Sequence, residues 1–239
     1  PSLSYYVASN ESSEVTGTRE LLMKLDGTRG YQMQSECEGV HDGSPYKQVN
    51  PMQHYENTAS SRGSRVDGFN PEYGAPTLPT VEILKEMMDE KDLWPINREV
   101  WDYLDGNGFH LMSTMYKELV DNYGKSSSIE EFAQKGQFVG AINSKSIWEV
   151  WNYNKLDYGD RFCSGLLFWY HNCPVRQVSA RMWDWSLEPT ASLYHTANAL
   201  EPLHVQFDYL KNTVSVINDY YKSFSNYTVM AQVYDINSR

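Results

Sequence analysis

Basic residues are scarce in this 239-residue sequence: 20 Lys and Arg stand against 31 Asp and Glu, giving a formal net charge of -11. Affinity for nucleic acid depends on clustered Lys and Arg that displace counterions from the phosphate backbone. The charge balance therefore excludes a nucleic-acid-binding protein, and we expect no nucleic-acid partner.

Long apolar runs are also missing. The longest are far shorter than the ~20 residues of a membrane-spanning helix, and no charged-then-apolar signal segment opens the chain. We therefore expect no membrane partner. The chain starts without Met, and Pro1-Ser2-Leu3 leads directly into a strand-like run. We interpret it as part of a longer chain, whose remaining domains would be its partners.

Cysteine is rare, with only Cys37, Cys163 and Cys173 in the sequence. Their number is odd, and none has the CxxC spacing that is typical of zinc or redox sites. This argues against a disulfide framework, although one bridge between Cys163 and Cys173 stays open. The histidine spacing fits no zinc pattern either, so we expect neither a metal nor a cofactor.

Aromatic residues are abundant, at 14% of the chain with 18 Tyr and 7 Trp, within a hydrophobic fraction of 41%. This fraction is sufficient for a real core in one large domain or in a domain plus part of another. Flat amphipathic rings also suit the apolar faces of sugars. The aromatic content thus fits either a sugar-binding protein or a large core.

Short strands alternate with helices over residues 1 to about 198. This alternation favours a parallel sheet covered by helices, an α/β fold of which a barrel is one closed form. Ser128 and Glu131 match the capping box that opens a helix. The predicted strands are 3–9, 31–35, 49–55, 66–70 and 165–170, and the predicted helices are 18–25, 79–90 and 128–151.

The pattern changes near Glu201-Pro202. The following runs, His204–Tyr209, Thr213–Asn218 and Tyr227–Tyr234, alternate or are rich in β-branched residues, with turn residues between them. They predict three strands of a β-sandwich. Because three strands do not complete a sandwich, we expect the chain to stop within this domain.

Two glutamates, Glu11 and Glu72, each follow a predicted strand. Retaining glycosidases use two carboxyl groups about 5 to 5.5 Å apart. In a parallel barrel, catalytic groups stand at the C-terminal ends of the strands, where Glu11 and Glu72 could meet. The alternative is that both are surface residues, which is the usual location of Glu.

The sequences around these glutamates resemble those of glycoside hydrolase family 2. The run PSLSYYVASNE ending at Glu11 is similar to the family's acid/base strand, and GFNPEYGAPTLP around Glu72 is similar to its nucleophile strand. Between them, a loop with Tyr46 and Tyr55 resembles that of exo-β-glucosaminidases and plant endo-β-mannosidases. Later, SGLLFW ending at Trp169 resembles the last barrel strand, and EPLHVQ at 201–206 resembles the entry to the next domain.

The resemblance implies a fold, domain boundaries and a location. It implies the C-terminal half of a (β/α)8 TIM barrel over residues 1–198, followed by a partial immunoglobulin-like β-sandwich over 199–239. By the habit of the family, the expected location is periplasmic or extracellular. A half barrel lacks substrate contacts from its earlier strands, so we expect the isolated chain to be inactive or nearly so.

The resemblance also implies an activity and roles for particular residues. The implied activity is retaining hydrolysis of β-linked mannosides or glucosaminides, ahead of β-galactosides and β-glucuronides, with Glu72 as nucleophile and Glu11 as general acid/base. Asn10 would bind the sugar 2-substituent, and Trp169 would form a wall of the pocket. Tyr46 and Tyr55 would line the pocket or hydrogen-bond the nucleophile. The alternatives are a carbohydrate-binding barrel without catalysis and, for these four residues, a loop cap or packing.

Overall fold

The computed structural model describes residues 3–37, 46–56, 68–110, 112–155, 162–170 and 172–238. Helices and strands alternate along most of this part of the chain. In order they are β1 (Tyr5–Val7), α1 (Thr18–Leu25), β2 (Gly30–Gln32), α2 (Pro51–Glu56), β3 (Gly68–Tyr73), α3 (Val81–Met87), α4 (Glu90–Leu93), α5 (Arg98–Leu104), α6 (Met112–Tyr123), α7 (Ile129–Asn154), β4 (Cys163–Phe168), α8 (Ala191–Ala199), β5 (Leu203–Asp208) and β6 (Thr213–Asn218).

The described strands form three pairs. β1 pairs with β2 and β3 pairs with β4, both in parallel, whereas β5 and β6 form an antiparallel hairpin. Parallel strands need a crossover connection, and helices supply it between β1 and β2 and between β3 and β4. The mixed α/β architecture is therefore confirmed. The half barrel and the immunoglobulin-like sandwich stay predictions.

The long helix α7 organises the packing. It begins as predicted at Ser128, whose Oγ accepts a hydrogen bond from the Glu131 backbone N–H at 3.3 Å. The Glu131 carboxylate accepts one from the Ser127 N–H at 2.7 Å, one residue before the N-cap N–H that a standard capping box uses. α7 then packs against α8, α6, α2 and β4.

The core has two parts. One lies among α3 to α7 and is centred on Leu84, Trp101 and Met115, which are fully buried. The other joins α7 to β3 and β4 through Ile147 and Tyr73. The second cluster holds the β3–β4 pair, and with it Glu72, against the long helix.

Several sequence predictions needed correction. The strand predicted over 49–55 is wrong, since Pro51 begins helix α2 and the Asn50 Oδ1 accepts from the Met52 N–H at 3.0 Å. Proline at the first helical position and Asn as a cap explain this start. The strand predicted over 227–234 is also wrong, because this exposed segment has no regular structure.

Two further features concern the cysteines and the helices. Cys37, Cys163 and Cys173 form no disulfide, so the bridge between Cys163 and Cys173 is absent. Within the described segments, no helix combines the length and apolar character needed to cross a membrane.

Candidate active site

A cavity of about 360 Å³ lies where the two parallel strand pairs present their loops. Its walls bring together side chains that are far apart in the sequence. Five of them were predicted as site residues, and three were not. The lining residues are Asn10, Glu11, Tyr46, Glu72, Trp169, and in addition Phe109, His110 and Arg181.

Glu11 enters the cavity from the loop that follows β1. Its backbone is in the left-handed region, with φ 47°, which is uncommon for a residue with a side chain. The Glu11 N–H donates to the Ser35 Oγ at 3.0 Å, and the Ser35 N–H donates to the Ser9 carbonyl at 3.0 Å. The segment after β2 therefore holds the turn that presents Glu11.

Glu72 lies within β3, one residue before its end, so the strand ends three residues later than predicted. Its N–H donates to the Oδ1 of the fully buried Asn70 at 2.9 Å. The Tyr46 hydroxyl donates to the Glu72 carboxylate. A hydroxyl donor favours the ionised form of a carboxyl group, which a nucleophile requires.

Trp169 follows β4 directly and forms an aromatic wall beside Glu72. Its N–H donates to the Tyr73 carbonyl at 2.6 Å, and its ring meets Tyr46 edge-on with centroids 5.1 Å apart. A Cβ on Gly74 would lie closer to the Trp169 carbonyl oxygen than the 3.0 Å that real Cβ atoms respect. Glycine at this position therefore allows the tryptophan to approach the end of β3.

Phe109 and His110 reach the cavity from the loop after α5, a segment for which the sequence predicted no functional role. The turn before them has Gly106, Asn107 and Gly108 in the left-handed region, with φ 61°, 56° and 88°. The run DGNG at 105–108 is typical of such a turn, because Gly and Asn tolerate the left-handed region. Burial, together with the positive charge of Arg181, lowers the pKa of His110 to about 4, so its imidazole is neutral at pH 7.

Arg181 is the third unpredicted lining residue, and it is only 1% exposed. Its Nη1 donates to the carbonyls of Ser179 and Ala180 at 3.2 and 3.1 Å. Its guanidinium carbon lies 5.2 Å from the ring centroid of Tyr170 and 5.9 Å from that of Trp169. Burial lowers the pKa of Arg181 below its usual range, but a guanidinium keeps its charge in proteins.

Tyr55 lies away from this cavity. It is 4% exposed, and its hydroxyl donates to the Phe207 carbonyl at 3.0 Å, which joins α2 to the β5–β6 hairpin. This placement agrees with the alternative interpretation of Tyr55 as a packing residue. In the described ranges, no group of three or more His, Cys, Asp and Glu side chains is arranged to hold a metal ion.

Comparisons with known proteins add an independent line of evidence. No family model matches the chain. An exo-β-D-glucosaminidase of Amycolatopsis orientalis is 26% identical over 208 residues, 83% of this chain and 20% of the relative. A mannosylglycoprotein endo-β-mannosidase of Lilium longiflorum is 24% identical over 236 residues, 89% of this chain and 23% of the relative.

The chain is homologous to exo-β-glucosaminidases and β-mannosidases of glycoside hydrolase family 2. The resemblance found in the sequence is thereby confirmed. The chain spans about a fifth of the length of these curated relatives.

Solved structures of glycosidases share this fold. An Amycolatopsis orientalis exo-chitosanase in complex with PNP-β-D-glucosamine has a TM-score of 0.77 at 22% identity, covering 90% of this chain and 27% of that one. A β-D-mannosidase from Dictyoglomus thermophilum has a TM-score of 0.69 at 18% identity, and the match covers 92% of this chain and 29% of the mannosidase chain.

Proposed function

We propose that this chain is the C-terminal part of the catalytic (β/α)8 barrel of a retaining β-glycosidase, with the first strands of an immunoglobulin-like sandwich. The barrel part is residues 1–198, and the sandwich part is 199–239. The observation that carries the proposal is that Glu11 and Glu72, from two different strand pairs, line one cavity with the Trp169 ring. The names of the relatives support β-linked mannosides or glucosaminides as substrates.

The proposed reaction is a double displacement. The Glu72 carboxylate attacks the anomeric carbon while the protonated Glu11 gives its proton to the departing glycosidic oxygen. This forms a glycosyl ester on Glu72 and leaves Glu11 ionised. Glu11 then takes a proton from water, which attacks the same carbon and releases Glu72. Both carboxyl groups return to their starting states.

The other lining residues supply positioning. The Tyr46 hydroxyl orients the Glu72 carboxylate and stabilises its negative charge. Asn10, adjacent to Glu11 and in the same cavity, is proposed to hydrogen-bond the sugar 2-substituent, and Trp169 to pack against the sugar ring. Both roles require the side chains to face the sugar, and their place in the cavity wall fits this requirement.

An apolar groove beside the cavity bears on whether the chain acts alone. The groove encloses about 650 Å³, and Tyr5, Val7 and Leu167, which are among its walls, are 46%, 54% and 52% exposed. Large exposed apolar surfaces of this kind mark contacts with other parts of a protein. We propose that further barrel strands cover the groove, so that the 239 residues alone have little or no activity.

The test is to trap the intermediate on the complete protein with a panel of 2-deoxy-2-fluoro β-glycosides and to map the labelled peptide by mass spectrometry. We expect the label on Glu72, and none in a Glu72→Gln variant. The matched control is Glu86→Gln, an exposed glutamate of α3, which should label like the wild type.

Glu11 is tested separately. Glu11→Gln should lower turnover of unactivated substrates by about 10²- to 10⁴-fold, the usual contribution of general acid/base catalysis. A label on another residue would contradict the assignment of the nucleophile. Sugar binding without any label or turnover would favour the carbohydrate-binding barrel instead.

A further inference from the structure

The guanidinium of Arg181 is a buried positive charge in the wall of the cavity. In the part of the chain that the structure describes, no carboxylate lies within salt-bridge distance of it, and its Nε has no hydrogen-bond partner. The negative charge of Asp105 acts on it only over a longer distance. Burying a charge without a direct partner is costly, so such a residue in a ligand cavity calls for a functional explanation.

The position of this charge is held by its surroundings. The carbonyls of Ser179 and Ala180 accept from Nη1, and the Tyr170 ring lies below the guanidinium. Ala180 is in turn bonded to the buried Thr77, whose N–H donates to the Ala180 carbonyl at 2.9 Å. These contacts hold the Arg181 guanidinium in the cavity wall, where its charge acts on any ligand in the cavity.

The cavity is small enough for that charge to reach every part of a bound sugar. A sphere of 360 Å³ would be about 9 Å across. A guanidinium offers only donors, as does an ammonium group, so the two cannot hydrogen-bond each other and they repel. Hydroxyl oxygens, in contrast, accept hydrogen bonds from it.

On the basis of the proposed function, we propose that Arg181 determines the substrate class. The cavity takes β-glycosides whose sugar ring carries hydroxyl groups, and it discriminates against a ring that carries an ammonium group. This favours a mannoside-type substrate over a glucosaminide, although a similar exo-chitosanase has been solved in complex with PNP-β-D-glucosamine. The carboxylate of Glu72 attracts an ammonium group, so the effect of Arg181 is measured by exchanging that residue alone.

The experiment compares p-nitrophenyl glycosides in two pairs on the complete protein. Each pair differs only in a 2-hydroxyl or a 2-ammonium group, one pair with the gluco and one with the manno configuration. We expect wild-type kcat/KM to be higher for the hydroxyl member of each pair. Arg181→Gln should reduce this preference by roughly 20- to 100-fold, from Coulomb repulsion over about 6 to 9 Å at an effective dielectric constant of about 20.

Two variants serve as controls. Arg181→Lys keeps the charge and should retain the preference. Arg176→Gln removes an exposed arginine of the same loop, which packs over Trp185, and should leave both preference and activity unchanged.

The outcomes separate this inference from the proposed function. A wild-type preference for the ammonium sugars, or an unchanged ratio in Arg181→Gln, overturns the inference while hydrolysis itself still supports the function. If no glycoside is hydrolysed, the proposed function fails, and the ratio of affinities for the same four glycosides by calorimetry decides the inference. If Arg181→Gln does not fold, the wild-type ratio decides it.

Discussion

Gly140 lies on the face of α7 that packs against the segment following β3. A Cβ at this position would meet the Oγ1 and Cβ of Thr77 well inside the 3.0 Å that real Cβ atoms respect, and the Ser192 Oγ at 3.1 Å. Thr77 is fully buried and cannot move away easily, because its N–H is bonded to the Ala180 carbonyl. Ala180 precedes Arg181, so the packing of α7 reaches the cavity wall.

Two opposing effects decide the outcome of Gly140→Ala. Alanine in place of glycine stabilises a helix interior by about 1 kcal/mol. Overpacking a tight core costs typically about 1 to 3 kcal/mol, and overlap with two atoms of one buried side chain places this site at the upper end. We therefore expect a net loss of about 2 kcal/mol in the free energy of unfolding.

The assay is urea unfolding followed by tryptophan fluorescence on wild type, Gly140→Ala and the control Gln134→Ala. Gln134 is an exposed residue of the same helix, and its change should stay within about 0.5 kcal/mol. A Gly140→Ala variant as stable as the wild type, or more stable, would refute the packing argument.

Three further predictions follow from other contacts. Tyr46→Phe removes the hydroxyl donor to the Glu72 carboxylate. Since hydrogen bonds to charged groups contribute about 1.5 to 3 kcal/mol, we expect kcat/KM of the complete protein to fall about 10- to 100-fold, and a change below twofold would contradict this role. His204→Ala removes the 2.8 Å hydrogen bond between the His204 Nε2 and the Glu149 Oε1, both side chains being under 5% exposed, while Lys145 Nζ stays 3.5 Å from the same oxygen. The loss in denaturant unfolding should be about 1 to 3 kcal/mol; a loss below about 0.5 kcal/mol would show that the pair is unimportant. Burial lowers the pKa of His54 from 6.5 to about 4, so the unfolded chain binds the proton more readily than the folded one. The contribution of His54 to the free energy of unfolding is therefore fully present above pH 6.5 and falls by up to about 3 kcal/mol as the pH drops to 4. His54→Asn should flatten this pH dependence, and an unchanged slope would exclude His54 as its source.

Much of the secondary structure followed from local signals. Helix α1 has the predicted bounds Thr18–Leu25, and α7 begins at the predicted cap, because capping and helical periodicity act within a few residues. The hairpin strands β5 and β6 were predicted to within a residue. The strand prediction over 49–55 failed because a short segment of mixed polarity carries no clear periodicity, and proline at the first helical position begins helix α2 instead.

The sequence by itself determined the α/β alternation, the family resemblance, and the candidate residues Asn10, Glu11, Tyr46, Glu72 and Trp169. These follow from local patterns and from the order of the motifs, which can be recognised without any knowledge of three-dimensional contacts. The placement of these residues around one cavity required the structure.

Only the tertiary structure separated Tyr55 from that cavity and added His110 and Arg181 to it. No local pattern distinguishes a tyrosine that bonds the Phe207 carbonyl from one that faces a ligand. Likewise, an arginine is normally a surface residue, and its sequence context does not reveal burial. The reason is physical: burial, and the charge that a pocket presents, depend on which distant segments pack together.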